Sequence, residues 1–386
     1  METKPLREIA DIQTGPFGSQ LHKEDYVDEG TPIVTVEHLG NRIFTEQNLP
    51  CVSDIDKNRL SKYVLHEGDI VFSRVGSVDR CSYVDAQHDG WMFSGRCLRV
   101  RPHAPIDSMY LYYCFCMENT KAFVRNIAVG ATMPSINTKL LGEVDIAFPE
   151  YDTQKKIAAI LSGLDDKIEL NQRINDNLQQ QAAALFANYY ELAENEAFFT
   201  DIIQVFGGGT PKTGEASYWN GTVPFFTPKD VGLPYTLTTE KAITEDGLAN
   251  CNSRLYPINT VFVTARGTVG KVGMPGVPMA MNQSCYALVS KNIHQLLVYF
   301  YTLKVVESLK HKASGAVFDA ITTRDFEMEK IFTLSKDSSD AFLAVADPIY
   351  QSILINTIEN QRLAALRDTL LPKLMFGELD VSDIDL

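Results

Sequence analysis

The tetrad Asp347-Pro348-Ile349-Tyr350 carries the side chains best suited to chemistry in this 386-residue sequence. A polar side chain beside a turn can hold the exocyclic amine of a flipped adenine while the following aromatic stacks on the base, an arrangement suited to methyl transfer. Ile349 stands where that arrangement uses a second proline, and no glycine-rich cofactor loop follows a strand with suitable placement. Asp347 as N-cap and Pro348 at the first helical position explain the tetrad as a helix start. Gly209 to Gly214 has the glycine spacing of a phosphate loop, but Glu215 occupies the lysine position and its carboxylate repels phosphate. The 7 histidines are scattered with no metal-ligand pair at helical spacing, and there is no Gly-x-Ser-x-Gly elbow. The expectation is therefore no catalytic residue and no metal ligand.

Composition bounds what else the chain can do. Hydrophobic content of 45% and charged content of 22% are ordinary for a globular protein. No unbroken apolar run is long enough to span a bilayer and the first residues form no secretory signal, so a cytoplasmic protein without a membrane is expected. The 7 cysteines include no Cys-x-x-Cys pair, which fits buried thiols in a reducing compartment. The net charge of -14 is awkward for a nucleic-acid reader. It falls on residues 1–150 (about -6), 151–195 (about -3) and 336–386 (about -5), leaving 196–335 near neutral. Arg74, Arg80, Arg96, Arg99 and Arg101 crowd into one stretch. Local basic surfaces are thus available, with weak affinity for DNA expected of the chain alone and help from a more basic partner.

The elements that position these residues occur twice. Ile70 to Val78 aligns without a gap with Val261 to Val269, the arginine moved by one position. Gly130-Ala131 and Ile136-Asn137-Thr138 are answered by Gly315-Ala316 and Ile321-Thr322-Thr323. The loops Gly15 to Ser19 and Gly207 to Pro211 sit at matching positions, where glycine permits close backbone approach. Short β-type runs at 33–36, 69–72 and 97–100 are repeated at 223–226, 261–263 and 285–289, with Pro224 suited to an edge or a strand start. Each half adds an apolar helical stretch, 109–123 and 293–309.

Each half then enters a long helix, and both helices carry an Asn-Gln-Arg tripeptide, at 171–173 and 360–362. From Asp152 to about Tyr190, apolar residues recur mostly at spacings of three and four, a coiled-coil seam with Asn171 and Asn175 near it. The second copy is expected from about Pro348 to Leu374. Antiparallel pairing is expected through Leu161, Leu164, Ile168, Asn171, Ile174 and Leu178 against Ile353, Leu363, Leu366 and Leu370. Thirty-odd residues at 1.5 Å each reach on the order of 50 Å, more than a turn of duplex DNA. The fold class is α+β: two similar mixed α/β domains, 1–150 and 196–337, separated by a pair of long antiparallel coiled-coil helices, 151–195 and 338–386, with a pseudo-two-fold relation.

The helical segments also carry a resemblance. Gln154 to Asn171 resembles the central conserved helix of specificity (S) subunits of Type I restriction-modification systems, and Glu359 to Leu374 followed by Gly377-Glu378-Leu379 is similar to that family's distal conserved region. The resemblance implies two target-recognition domains reading the halves of a bipartite, asymmetric double-stranded DNA site, and a helix pair that sets the spacer. It also implies docking of two methyltransferase (M) subunits and of restriction (R) subunits. S-adenosylmethionine would then sit on the methyltransferase subunit, ATP and Mg on the restriction subunit, and no cofactor on this chain. DNA contacts are then expected from Ser19, Lys23, Arg42, Arg74, Ser77, Arg80, Arg96 and Asn137 in the first domain. In the second they are expected from Thr210, Lys212, Lys229, Arg266, Thr268, Lys271, Asn282, Lys312 and Arg324. Arginine and lysine neutralise phosphate or fork onto guanine, and asparagine reads adenine. Arg74 and Arg266 are the preferred pair, although a one-position offset on regular strand would send them to opposite faces. Two other readings compete: a self-sufficient DNA adenine methyltransferase using Asp347 to Tyr350, and a coiled-coil adaptor whose globes bind proteins.

Overall fold

A computed structural model describes residues 1–40, 42–232, 234–312, 320–381 and 384, with Ser19 described by its backbone alone. The repeated Gly315-Ala316 therefore lies outside the described residues. The chain divides into two units, residues 1–168 with 362–386, and residues 169–361.

The first unit is built on a four-stranded sheet of β1 (Ala10–Thr14), β2 (Ile70–Ser73), β3 (Cys81–Tyr83) and β4 (Cys97–Pro102), in the order β1-β4-β2-β3. All its pairings are antiparallel, with Ile70 opposite Val100 and Thr14 opposite Leu98. β2 is buried throughout, which its unbroken Ile-Val-Phe run requires of a strand covered on both faces. Helix Ser108–Cys116 covers one side: Phe115 meets Phe72 edge-on, ring centroids 4.6 Å apart. The expected helix at 109–123 is interrupted at Met117 and resumes as Glu118–Ile127, because Met117 takes an extended backbone. Asp107 caps the first of these helices, accepting from the Tyr110 amide at 2.8 Å. The long helix α1 (Tyr151–Glu191) enters this core through Ile157, Ala158 and Leu161, beside Leu371, Leu374 and Met375.

The second unit repeats the plan. Its five-stranded sheet has β5 (Ile203–Gly207), β6 (Val261–Thr264), β7 (Val272–Pro275) and β8 (Cys285–Ser290) in the order β5-β8-β6-β7, with Tyr235–Thr236 added beside β7. Helix Gln295–Lys312 covers it, as Ser108–Cys116 does in the first unit. Each unit also has a small sheet containing a parallel pair, Ile33 opposite Met92 and Phe225 opposite Ala280. Each also closes with an antiparallel ribbon, Glu2–Pro5 against Asp145–Phe148 and Asn195–Phe198 against Lys330–Thr333. Pro224 is neither at an edge nor at a strand start. It lies within Trp219–Phe226, the middle strand of its sheet, paired in register with Ala242 on one side and one residue before the parallel pairing begins at Phe225 on the other.

The second long helix, α2, runs Lys336–Met375 and so starts well before Pro348. Ser335 initiates it, its hydroxyl accepting from the Ser338 amide at 3.1 Å. Asp347 is therefore not an N-cap and Pro348 lies inside the helix. Core packing outweighs the lost backbone bond: Phe342, Ala346, Tyr350 and Ile353 on either side of the proline are all buried. One 18-residue window of α2 reaches a mean hydropathy of 1.3, long and apolar enough to cross a membrane by composition. Those four side chains instead enter the core of the second unit.

The helices pair antiparallel within each unit. In the second unit Asn171 donates from Nδ2 to Glu359 (2.7 Å) and to Asn360 (2.9 Å), and Asn356 donates to Asn175 Oδ1 at 2.8 Å. In the first, Arg367 donates to Asp165 at 2.6 Å. Leu161 and Ile353 are buried, and Leu164, Ile168, Leu178, Leu363 and Leu370 are half-buried. Ile174 and Leu366 are not in the seam: they are 40% and 47% exposed. Asn175 takes the place expected of Ile174, because the buried stripe passes through Asn171, Asn175, Leu178 and Ala182.

Candidate nucleic-acid interface

At one end of each large sheet the same backbone framework gathers the same loops. Gly15 N–H donates to Cys97 O and Gly208 N–H to Cys285 O, at 3.2 and 3.3 Å. Ser94 N–H donates to Val34 O and Asn282 N–H to Phe226 O, at 2.8 and 2.9 Å. Arg74 exchanges bonds with Arg96 O and the Ile136 amide, and Ala265 does the same with Ser284 O and the Ile321 amide. A β-carbon on Gly15 would collide with Ser94 O, and one on Gly208 with Asn282 O, so both positions demand glycine for close approach. Gly76 and Gly267 hold positive φ, 75° and 83°, at the matching turn after β2 and β6. The loops are therefore pinned to their sheets by the same backbone bonds in both units.

This framework settles how the two halves correspond. Arg74 matches Ala265, and Arg266 matches Val75. Neither arginine is on a strand, since β2 ends at Ser73 and β6 at Thr264. The preferred pair is thus not an equivalent pair, although both residues sit on the same turn. Arg80 and Lys271 are equivalent: their carbonyls accept from Ser73 and Thr264, each at 2.9 Å.

In the first unit this end holds Arg74, Ser77, Arg80, Arg96 and, through the neighbouring Ile136, Asn137. The Arg74 guanidinium donates to Gly95 O at 3.1 Å and lies 5.7 Å from the centre of the Phe17 ring. Arg96 and Ser77 are exposed, whereas the Arg80 guanidinium donates to Leu39 O. Asn137 is an N-cap, accepting from the Leu140 amide at 2.9 Å, so its carbonyl is committed to the fold. Lys23 is exposed in a short turn at 23–25, and the side chain of Ser19 is outside the described residues. Arg42 belongs elsewhere. Its side chain is largely covered and donates to Asp166 on α1, because opposite charge on the helix captures it.

In the second unit the end holds Thr210, Arg266, Thr268 and Asn282. Thr210 donates to the Gln283 side chain, Thr268 to Pro228 O at 3.3 Å, and Asn282 accepts from the Ser284 amide at 3.0 Å. The Thr268 bond brings the loop of exposed Lys229 alongside, where Lys229 stands 3.6 Å from Glu240. Arg266, Lys271 and Lys212 are exposed, and Arg324 is exposed on helix Thr323–Met328 just after Ile321. Lys312 is taken up in an ion pair with Glu329, a carboxylate buried to 5% exposure that needs a cation. Residue types alone missed Phe17, 60% exposed beside Arg74, and Gln283, exposed between Asn282 and Ser284. Only the correspondence of the two halves could have pointed to them.

Part of the arginine crowd is structural. Arg101 forks onto Asp69 at 2.6 and 2.7 Å, and those hydrogen bonds raise its pKa. Burial, with Arg101 beside it, lowers that of Arg99. In Asp347 to Tyr350 it is the aromatic that is taken up in packing. The Tyr350 ring, 3% exposed, lies among Tyr235, Tyr299 and Phe300 at centroid distances of 6.4, 5.5 and 5.6 Å, leaving no face for a base.

A family model described as the Type I restriction modification DNA specificity domain matches residues 1–180 and 195–334. The chain is similar to the Type I restriction enzyme MjaIX specificity subunit of Methanocaldococcus jannaschii, 23% identical and covering 99% of this chain and 94% of the relative. It is also similar to the Type I restriction enzyme HindI specificity subunit of Haemophilus influenzae, 26% identical over 83% of this chain and 88% of that protein. Among solved structures, the S subunit of a Type-I restriction-modification system from M. genitalium shares the fold, with a TM-score of 0.62 at 16% identity over 97% of this chain and 95% of that one.

Proposed function

The chain belongs to the family of Type I restriction-modification DNA specificity subunits, and from that premise we propose that it reads a bipartite, asymmetric duplex site, one half with each unit. The observation that carries this reading is the backbone framework built twice with different side chains on it. The two scaffolds present their loops alike, while Gly95-Arg96 in one and Gln283-Ser284 in the other meet different bases. The paired helices, continuous from Tyr151 to Glu191 and from Lys336 to Met375, fix the spacer. Leu170, Ile174 and Ile355, exposed on these helices in the second unit, supply apolar surface for docking two methyltransferase subunits, with restriction subunits joining them. The chain itself holds no cofactor. S-adenosylmethionine belongs to the methyltransferase subunits, and ATP with Mg to the restriction subunits. A net charge of -14 fits a reader that gains DNA affinity only in that assembly, in the cytoplasm.

The test is to purify the chain with its natural partners and map base-specific protection on DNA. A co-purifying methyltransferase and two separated protected clusters support the proposal. One contiguous cluster, or purification without a methyltransferase, refutes it.

A further inference from the structure

Matching the two units position by position separates loop residues whose chemistry is kept from those whose chemistry changes. Arg80 and Lys271 are basic in both, which suits a contact that every sequence offers, the phosphate. The residues between the matched amides of Ser94 and Cys97, and of Asn282 and Cys285, change completely: Gly95-Arg96 in one unit, Gln283-Ser284 in the other. Their backbone is the same. Cys97 N–H closes the turn on Ser94 O at 2.9 Å, and Cys285 N–H closes its counterpart on Asn282 O at 3.2 Å. Both turns are anchored at the first residue to the small sheet, at Val34 and Phe226, and at the third to the Arg74 and Ala265 amides.

We propose that Arg96 and Gln283 are base-reading residues, Arg96 selecting guanine in one half of the site and Gln283 selecting adenine in the other. The inference rests on the two-part DNA reading above and names its determinants. Arg96 is exposed, and among the described residues nothing engages its guanidinium, which leaves the whole fork for O6 and N7 of guanine. Its neighbour Arg74 is held by Gly95 O and Phe17 and so acts as a platform. Gln283 is exposed with Oε1 accepting from the Thr210 hydroxyl. That bond turns the amide and still leaves one lone pair on Oε1 and both Nε2 hydrogens, the set that adenine N6 and N7 require. The acidic neighbours that would oppose phosphate near a reader are absent from both tetrads, Ser94 to Cys97 and Asn282 to Cys285.

The test exchanges residues between the repeats. Arg96→Ser and Gln283→Gly each install what the other unit already carries on the same backbone turn. The native complex, purified through the full chain, selects from a randomised duplex pool, and the wild type and both variants are sequenced. The wild type is expected to enrich a split motif. Arg96→Ser is expected to lose preference for one guanine by roughly tenfold or more, in one half only. Gln283→Gly is expected to lose preference for one adenine in the other half by a similar factor. Variants that keep every wild-type preference, or that lose affinity for all sequences alike, overturn the assignment while leaving the two-part reading in place. A wild type that enriches no split motif overturns both. Thermal unfolding at the wild-type temperature shows that the variants are folded, as expected for two exposed positions.

Discussion

Replacing Arg367 with methionine removes the cation that neutralises the most enclosed charge on the helix pair. Asp165 has a side chain 8% exposed, and it accepts from Arg367 Nη1 and from the Tyr113 hydroxyl, each at 2.6 Å. Burial opposes the Arg367 charge, yet hydrogen bonds to Asp165 and Asp368 overcome it and raise its pKa. Removing one partner of a buried pair costs about 3–5 kcal/mol because the other charge stays enclosed. Arg367 is 30% exposed and Tyr113 still donates to Asp165, so Arg367→Met should fall at the low end, about 3 kcal/mol. Asp165→Leu leaves the Tyr113 hydroxyl without its acceptor but lets Arg367 turn to Asp368, about 2 kcal/mol. The double variant removes both charges and should cost clearly less than the sum, with a coupling of about 2 kcal/mol. The two tryptophans make the assay specific, since Trp91 lies in the first unit and Trp219 in the second. Urea unfolding followed by fluorescence in a Trp219→Phe background reports the unit that holds the pair. A loss under about 1 kcal/mol for Arg367→Met, or strict additivity, refutes the argument.

Other expectations follow from the same geometry. Tyr350→Phe keeps the ring in its aromatic cluster, so adenine methylation by the assembled complex should persist; its loss in a folded variant would favour a catalytic tetrad. Burial pushes the Cys97 and Cys285 thiols up to about 12, so both stay protonated at pH 8. Alkylation of the native protein at that pH should label Cys51 and Cys251 first, and rapid labelling of Cys97 would contradict the packing. Lys271→Ala should weaken binding to all duplexes about equally and lower the salt dependence by about one phosphate contact. Arg42→Ala should leave base preference unchanged and cost about 1 kcal/mol or less, since Asp166 is 64% exposed.

The duplication was legible because Ile70 to Ser73 and Val261 to Thr264 are buried strands, where packing restricts the alphabet, and the exposed turn after each needs a glycine at positive φ. The polar seam was legible at Asn171, whose hydrogen bonds cross between the helices. Ile174 and Leu366 misled because periodicity assigns apolar residues to the seam, whereas here Asn175 and Asp165 are the buried ones. Pro348 misled because local backbone preference was outweighed by the packing of Phe342 and Tyr350 on either side. Among the basic residues, sequence showed charge but not pairing. Arg42 and Lys312 look as available as Arg96 until Asp166 and Glu329 are placed beside them. Gln283 was invisible for a different reason: the spacing between matched positions shrinks along the chain, and only backbone hydrogen bonds restore the register.

The most direct measurement is a genome-wide map of methylated adenines in the source organism, with this chain present and deleted. The account predicts modification at a two-part motif with a fixed gap of unspecified bases, lost on deletion and restored by the intact gene. A single uninterrupted motif dependent on this chain, or an unchanged map after deletion, would contradict it.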